Sequence, residues 1–359
     1  MSGSANSTAP LTKTSLANIP LSYASVSLGQ VGTDTLPDKL HAISRAGFTA
    51  IELGFPDLVA FANQLLAPSH EITATDYDDL CTAAFEVKAI CAQLKLQIMM
   101  LQPFANFEGW ADDSPEREEV WTRARGWRRV MDACGCDMLQ VGSTDSPEER
   151  IGRDRERFVR DLRLLADFLA EKGMKVAYEN WCWSTHAPDW EDVWVICKAV
   201  DRENFGLCLD TFQSAGGEWA DPTSSSGLVD DGRSAEKVQQ DWEASCARLA
   251  EVVDPRKIFL LQISDAYRIG QPLEKKEIDG KRSRARWSNA FRPLPFEGYL
   301  PVVDFAKAVL KTGFRGWFSY EVFDAGPDGT GRQDVHDLDG WTDRATKCHE
   351  KLMEACEDA

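Results

Sequence analysis

The 359-residue chain is short of histidine, of positive charge and of long apolar runs. Of its five histidines, His41 and His349 fall in segments read below as helices, and His336 lies in a late loop. A zinc site built on imidazole is therefore poorly supplied. Lys and Arg number 40 against 58 Asp and Glu, a formal net charge of -18. Such a surface repels phosphate backbones and anionic lipid, which argues against nucleic acid and membranes as partners. It leaves room for a small anion held by a few local arginines. No run approaches the roughly 20 apolar residues that span a bilayer. The ten cysteines form no C-x-x-C pair, and Cys134-Gly135-Cys136 comes nearest. Most sit in apolar runs, as Cys91, Cys208 and Cys246 do, and read as reduced core thiols of a cytoplasmic protein. Residues 1–18 have neither a signal-peptide core nor an arginine-rich transit pattern, and read as a disordered tail. Residues 19–359 read as a single domain, and homo-oligomerisation is left open.

The chain is organised around VAYENWCWS, residues 176–184. A short apolar run ends at Glu179, and Trp181 and Trp183 follow at once. Three later runs repeat the device. LCLDTFQ presents Asp210, IFLLQISD presents Gln262 and GWFSYEVF presents Glu321. Earlier strand candidates are 21–28, 48–53, 96–101 and 138–141. Helical faces separate them; Leu80, Ala84, Val87, Cys91 and Leu94 step by four, three, four and three. Eight strand-then-helix units with continuous apolar strands predict an α/β fold, a (β/α)8 TIM barrel. Glu179 to Asp210 spans about one βα unit. The next two intervals are longer, so long loops are expected after strands 6 and 7, from Ser214 to Ser234 and from Arg268 to Tyr299. Both follow strands and so lie on the face where barrel active sites are built.

Glu179, Asp210, Gln262 and Glu321 thus form an all-oxygen set at four successive strand ends. Oxygen donors suit a hard divalent cation, Mg²⁺ or Mn²⁺. Glu52, at the end of the second strand, is a further candidate for the pocket. His186, just past the Glu179 strand, is a candidate base. Gln102 and Phe104 stand at the third strand tip, and with Trp181 they suit a flat ring. The basic segment KRSRARWSNAFR, 281–292, reads either as a solvated loop or as a lid carrying Arg284 or Arg292 to a substrate carboxylate.

Beyond these readings, a set of phrases resembles the fungal 3-dehydroshikimate dehydratases of quinate catabolism, within the xylose-isomerase-like barrels. They are LQPFANFEG (101–109), YENWCWST (178–185), NFGLCLDTFQSAGGEWADPT (204–223), LQISDA (261–266), RARWSNAFR (284–292) and GWFSYEVF (316–323). The resemblance implies a divalent cation on Glu179, Asp210, Gln262 and Glu321. It also implies loss of water from 3-dehydroshikimate, through proton abstraction and a cation-stabilised enolate, to give protocatechuate. Glu52, His186 or the ligand Glu321 would serve as the base. Gln102, Phe104, Trp181, Gln213, Arg284 and Arg292 would surround the small cyclic carboxylate. Three positions depart from the pattern. Gln213 stands where related bacterial enzymes have His, Asn289 replaces an arginine, and Ala105 replaces another found in some members. The alternative reading is a sugar or keto-acid isomerase or epimerase on the same cation site.

Overall fold

The computed structural model describes residues 10–67 and 69–358. Eight parallel strands close into one barrel in sequence order. They are Leu21–Ala24, Ala50–Gly54, Gln97–Phe104, Met138–Gly142, Lys175–Glu179, Phe205–Asp210, Ile258–Ile263 and Trp317–Tyr320. Closure is made by the first strand against the last, with Leu21 beside Phe318 and Tyr23 beside Tyr320. Strand side chains alternate between two layers. Outward residues such as Tyr23, Val176 and Tyr178 pack into the large core beneath the helices. Inward residues Ala50, Met100, Met138, Ala177, Cys208 and Leu260 form a separate apolar plug inside the barrel. Further along the strands, toward their C-terminal ends, the inward residues turn polar: Glu52, Gln102, Gln140, Glu179, Asp210 and Gln262, all buried.

The helices follow the predicted faces. Tyr77–Leu94 buries Leu80, Ala84, Val87 and Cys91, and ends on Lys95 in the left-handed conformation. Two helices of eight residues or more were not expected. Phe55–Leu66 starts on Gly54 and carries proline in its first turn, a position where the missing N–H costs nothing. Thr211–Glu218 occupies the start of the segment read as a loop, with the Asp210 side chain as its cap. The connection after the seventh strand contains a short helix, Ser283–Ser288. It also contains a two-residue strand, Phe291–Arg292, paired antiparallel with Phe323–Asp324.

The expected disordered tail needs correction over the described part of 1–18; residues 1–9 lie outside the described residues. Lys13–Leu16 is a short helix with a reciprocal cap between Thr12 and Ser15. Leu11 and Leu16 are buried. The Leu11 N–H donates to Asp358 Oδ2 at 2.9 Å, and the Asp358 N–H donates back to the Leu11 carbonyl at 2.8 Å. The segment packs against the last helix, Leu338–Cys356, and its two leucines join the large core. Leu16→Ala is expected to lower stability by about 2–5 kcal/mol, the usual cost of truncating a buried leucine. A urea midpoint equal to the parent's would return this segment to the status of a loose tail.

Candidate metal centre

Three of the four predicted ligands converge. Glu179 ends the fifth strand, Asp210 the sixth, and Glu321 follows the eighth. Each offers a carboxylate oxygen, and these lie within 4.8 Å of one another. Gln262 is the register partner of Asp210 on the seventh strand, and of Ser319 on the eighth, so it stands between them on the same inner face. Asp210 divides its two oxygens: Oδ1 accepts the Gln213 N–H at 2.8 Å and caps the following helix, while Oδ2 turns to Arg292. Glu179 Oε2 accepts from Gln140 Nε2 and, at 3.1 Å, from Trp181 Nε1. Its Oε1 is buried and meets no donor among the described residues.

Arg292 lies deeper than the lid position expected of it, among the acids themselves. Its guanidinium is 1% exposed. Nη2 donates to Asp210, Nη1 pairs with Glu321 at 2.9 Å, and Nε donates to Ser264 Oγ at 2.6 Å. Three of its five N–H groups are thereby used. Glu52 lies beside this group rather than in it. Its Oε2 accepts from Gln262 Nε2 at 2.8 Å and Gln102 Nε2 at 3.3 Å, and the same Gln102 nitrogen reaches Glu321 Oε1 at 2.8 Å. With all four carboxyls ionised, Arg292 alone would leave three uncompensated negative charges in a buried volume. Burial, and then the charges of Glu321 and Asp210, raise the Glu179 carboxyl well above the usual range. Burial also raises Asp210 and Glu321, against the pull of Arg292. Glu52 is pushed up to about 8 by burial and by Glu321. A buried set of oxygen donors with excess negative charge and an orphaned carboxylate oxygen fits a divalent cation.

The other predicted site residues divide. Gln102 and Trp181 belong to the site, and Trp181 stacks on Trp183 at 5.2 Å between centroids. Trp181 can lie there because residue 142 is glycine, where an added Cβ would fall 2.1 Å from the indole. Gln213 supports it from behind, accepting the Cys182 N–H at 3.0 Å. Three expectations are corrected. His186 is not at the acids: its Nε2 meets Glu108 Oε1 at 3.0 Å and its ring stacks on Phe158 at 3.9 Å. Glu108 also accepts from the Tyr178 hydroxyl, which leaves the fifth strand on the face opposite Glu179. Phe104 packs among Phe107 and Trp127 with Arg123 over its ring, so it too belongs to the helix layer. Arg284 donates to the Gly216 carbonyl at 2.6 Å and the Ala220 carbonyl at 3.3 Å. It staples the loop to the helix Thr211–Glu218, as Arg282 staples it to the carbonyls of Trp183 and Asp145. Sequence reasoning missed Gln140 and Ser264. Gln140 carried a signal, a lone amide inside the apolar strand MLQVG; Ser264 carried none.

Comparisons with known proteins agree with this fold. The family model described as the xylose isomerase-like TIM barrel matches residues 40–345. A 3-dehydroshikimate dehydratase from Neurospora crassa is 32% identical over 314 residues, 84% of this chain and 86% of its own. A protein of the same name from Pseudomonas putida is 28% identical over 85% of this chain, which spans only 38% of that relative's length. Among solved structures, a xylose isomerase-like TIM barrel/4-hydroxyphenylpyruvate dioxygenase fusion protein superposes with a TM-score of 0.65 at 25% identity. That match covers 92% of this chain and 42% of the fusion protein.

The charge excess predicts how stability follows pH. A carboxyl whose folded pKa is raised holds its proton more tightly in the fold. Stability is then lost as pH rises from the ordinary glutamate value of 4.5 through about 8, the window set by Glu52. Metal-stripped protein should melt at a lower temperature at pH 8 than at pH 5.5. Added Mn²⁺ should raise the melting temperature more at pH 8, because it binds the ionised form. A Mn²⁺ effect that is absent, or larger at pH 5.5, would count against the cluster as a cation site.

Proposed function

The chain belongs to the xylose isomerase-like TIM barrel family, and from that membership we propose that it is a divalent-metal-dependent 3-dehydroshikimate dehydratase, a carbon–oxygen lyase yielding protocatechuate. The observation that carries the reading is the convergence of Glu179, Asp210 and Glu321 beside Gln262 at the C-terminal mouth of the barrel. Those four residues would hold the ion, and the all-oxygen donor set favours Mn²⁺ or Mg²⁺. When bound, the ion supplies a Lewis acid for the ketone oxygen of the substrate.

The protein's own groups account for the rest. Proton removal falls to a carboxylate of the cluster. Glu321 is the most exposed of these acids, at 6%, and burial already raises its proton affinity. Glu52 holds two amide N–H groups on Oε2 and lies beside the converging acids, and His186 lies behind the barrel wall, so Glu321 is the better placed of the three candidates. Trp181, backed by Trp183, offers a flat apolar wall to the six-membered ring. Arg292 keeps two N–H groups in reserve for the substrate carboxylate while it neutralises Asp210 and Glu321. Ten free cysteines suit a reducing, cytoplasmic setting, and a place in quinate breakdown is consistent with the chemistry.

The direct test is to incubate metal-stripped protein with 3-dehydroshikimate, with and without Mn²⁺ or Mg²⁺, and follow aromatic absorbance. Metal-dependent formation of protocatechuate is expected. Bound metal without product would redirect the assignment to isomerisation or epimerisation. Glu179→Gln and Asp210→Asn should each lower turnover by more than about 100-fold, since even groups outside the ligand set are worth 10–100-fold. Near-parental activity in both variants, with circular dichroism unchanged, would refute the ligand assignment.

A further inference from the structure

Gln262 differs from the other three proposed ligands in one physical respect. A carboxylate presents oxygen whichever way it turns. A primary amide has an oxygen end and an NH₂ end of nearly the same size, and only the oxygen can bind a hard cation. Some neighbour must decide which end faces the ion. The Glu52 carboxyl can do so, because its Oε2 faces two amide N–H donors and accepts from them whether or not Oε1, which meets no partner among the described residues, carries a proton. It accepts from Gln262 Nε2 at 2.8 Å. The Cys208 thiol, on the adjacent strand and part of the apolar plug, donates to Gln262 Oε1 at 3.2 Å and uses one of that oxygen's two lone pairs, leaving the other for the ion.

Glu52 is well placed to act through Gln262 and not directly. It comes from the second strand, and the first and eighth strands separate it from Gln262 around the barrel. It is not one of the three carboxylates whose oxygens converge. A second amide is turned the same way, with Gln102 Nε2 lying between Glu52 and Glu321. Two amides, from the third and seventh strands, thus share one acceptor.

We propose that Glu52 is a positioning residue that holds the Gln262 amide with its nitrogen turned away and its oxygen turned toward the cation. The proposal rests on the cation reading above and replaces the catalytic role expected of Glu52 from the sequence. Its signature is non-additivity. Glu52→Gln substitutes a side chain that can accept or donate, so Gln262 is free to turn its NH₂ to the ion. In a Gln262→Glu background the ligand has no wrong end, so no orienter is needed. There, removing the Glu52 charge relieves a repulsion between neighbouring carboxylates.

The test is a Mn²⁺ titration of the metal-stripped full chain, read as free-Mn²⁺ paramagnetic resonance, with no assay of turnover. Glu52→Gln should weaken Mn²⁺ binding roughly 10- to 100-fold, the usual effect of losing a group that orients a ligand. In the Gln262→Glu background the same substitution should leave the affinity unchanged or raise it. Glu52→Asp withdraws the acceptor by one methylene and should weaken binding by a smaller factor; it carries the test should Glu52→Gln not fold. Parental affinity in Glu52→Gln would overturn the proposal and leave the cation site standing. Equal weakening in both backgrounds would overturn it too, since that is simple loss of a nearby charge. Failure of the parent protein to bind Mn²⁺ at all would overturn the cation reading and this proposal with it.

Discussion

The constraint on which the structure depends is the negative charge held inside the barrel mouth. Two other buried acids have an immediate cationic partner: Asp57 meets Lys39 at 2.8 Å, and Asp161 meets Arg117 at 2.8 Å. In the mouth, Glu52, Glu179, Asp210 and Glu321 share Arg292. Like charges this close cannot all ionise without a further cation or bound protons. A folded chain tolerates such a cost only where the surroundings impose it. Here the imposing element is the closed barrel, whose inward side chains have nowhere else to point.

The barrel does this with two stacked layers. The apolar plug of Ala50, Met100, Met138, Ala177, Cys208 and Leu260 seals the interior below the polar ring. It keeps water from reaching the carboxylates from beneath, which leaves their mutual repulsion poorly screened. Above the ring, two long connections complete the enclosure. Arg282, Arg284 and Arg286 each donate to backbone carbonyls and fix the shape of the segment that carries Arg292 into the cluster. Trp287 packs against Phe212 at 4.8 Å and donates to the Tyr267 carbonyl, which anchors the same segment. The basic stretch 281–292 is therefore mostly architecture, and Arg292 is the member of that segment that reaches the acids.

The fold and the acids were legible in the sequence for one reason. Parallel strands buried on both faces are continuous apolar runs, so an acid at the end of such a run is conspicuous. What failed lies beyond the strand ends, where alternation stops assigning sides. By simple alternation Phe104 would share the inner face with Gln102, but the pairing register shifts between Leu101 and Phe104 and the ring turns outward. His186 follows the Glu179 strand by seven residues, and the loop folds it back over Phe158 and Glu108. Arg284 and Arg292 look alike in sequence, and only the ribbon between Phe291–Arg292 and Phe323–Asp324 separates their fates. The helix Phe55–Leu66 begins on a glycine that makes no side-chain cap, so no polar start signal announces it. The helix Thr211–Glu218 takes as its cap the residue already read as a ligand.

That double use of Asp210 bears on why the fourth oxygen is an amide. One Asp210 oxygen is committed to the Gln213 N–H and the other to the cluster, so the aspartate is fixed without help. Glu179 is fixed likewise by Gln140 and Trp181. A carboxylate at position 262 would add a further negative charge beside Glu52, already raised to about 8 by burial and Glu321. An amide avoids that charge and still presents an oxygen. It also gives Glu52 two N–H donors, from Gln262 and Gln102, that favour its ionised form against burial. The acid and the amides are therefore interdependent: Glu52 gives the amides their orientation, and the amides make a buried Glu52 carboxylate tolerable.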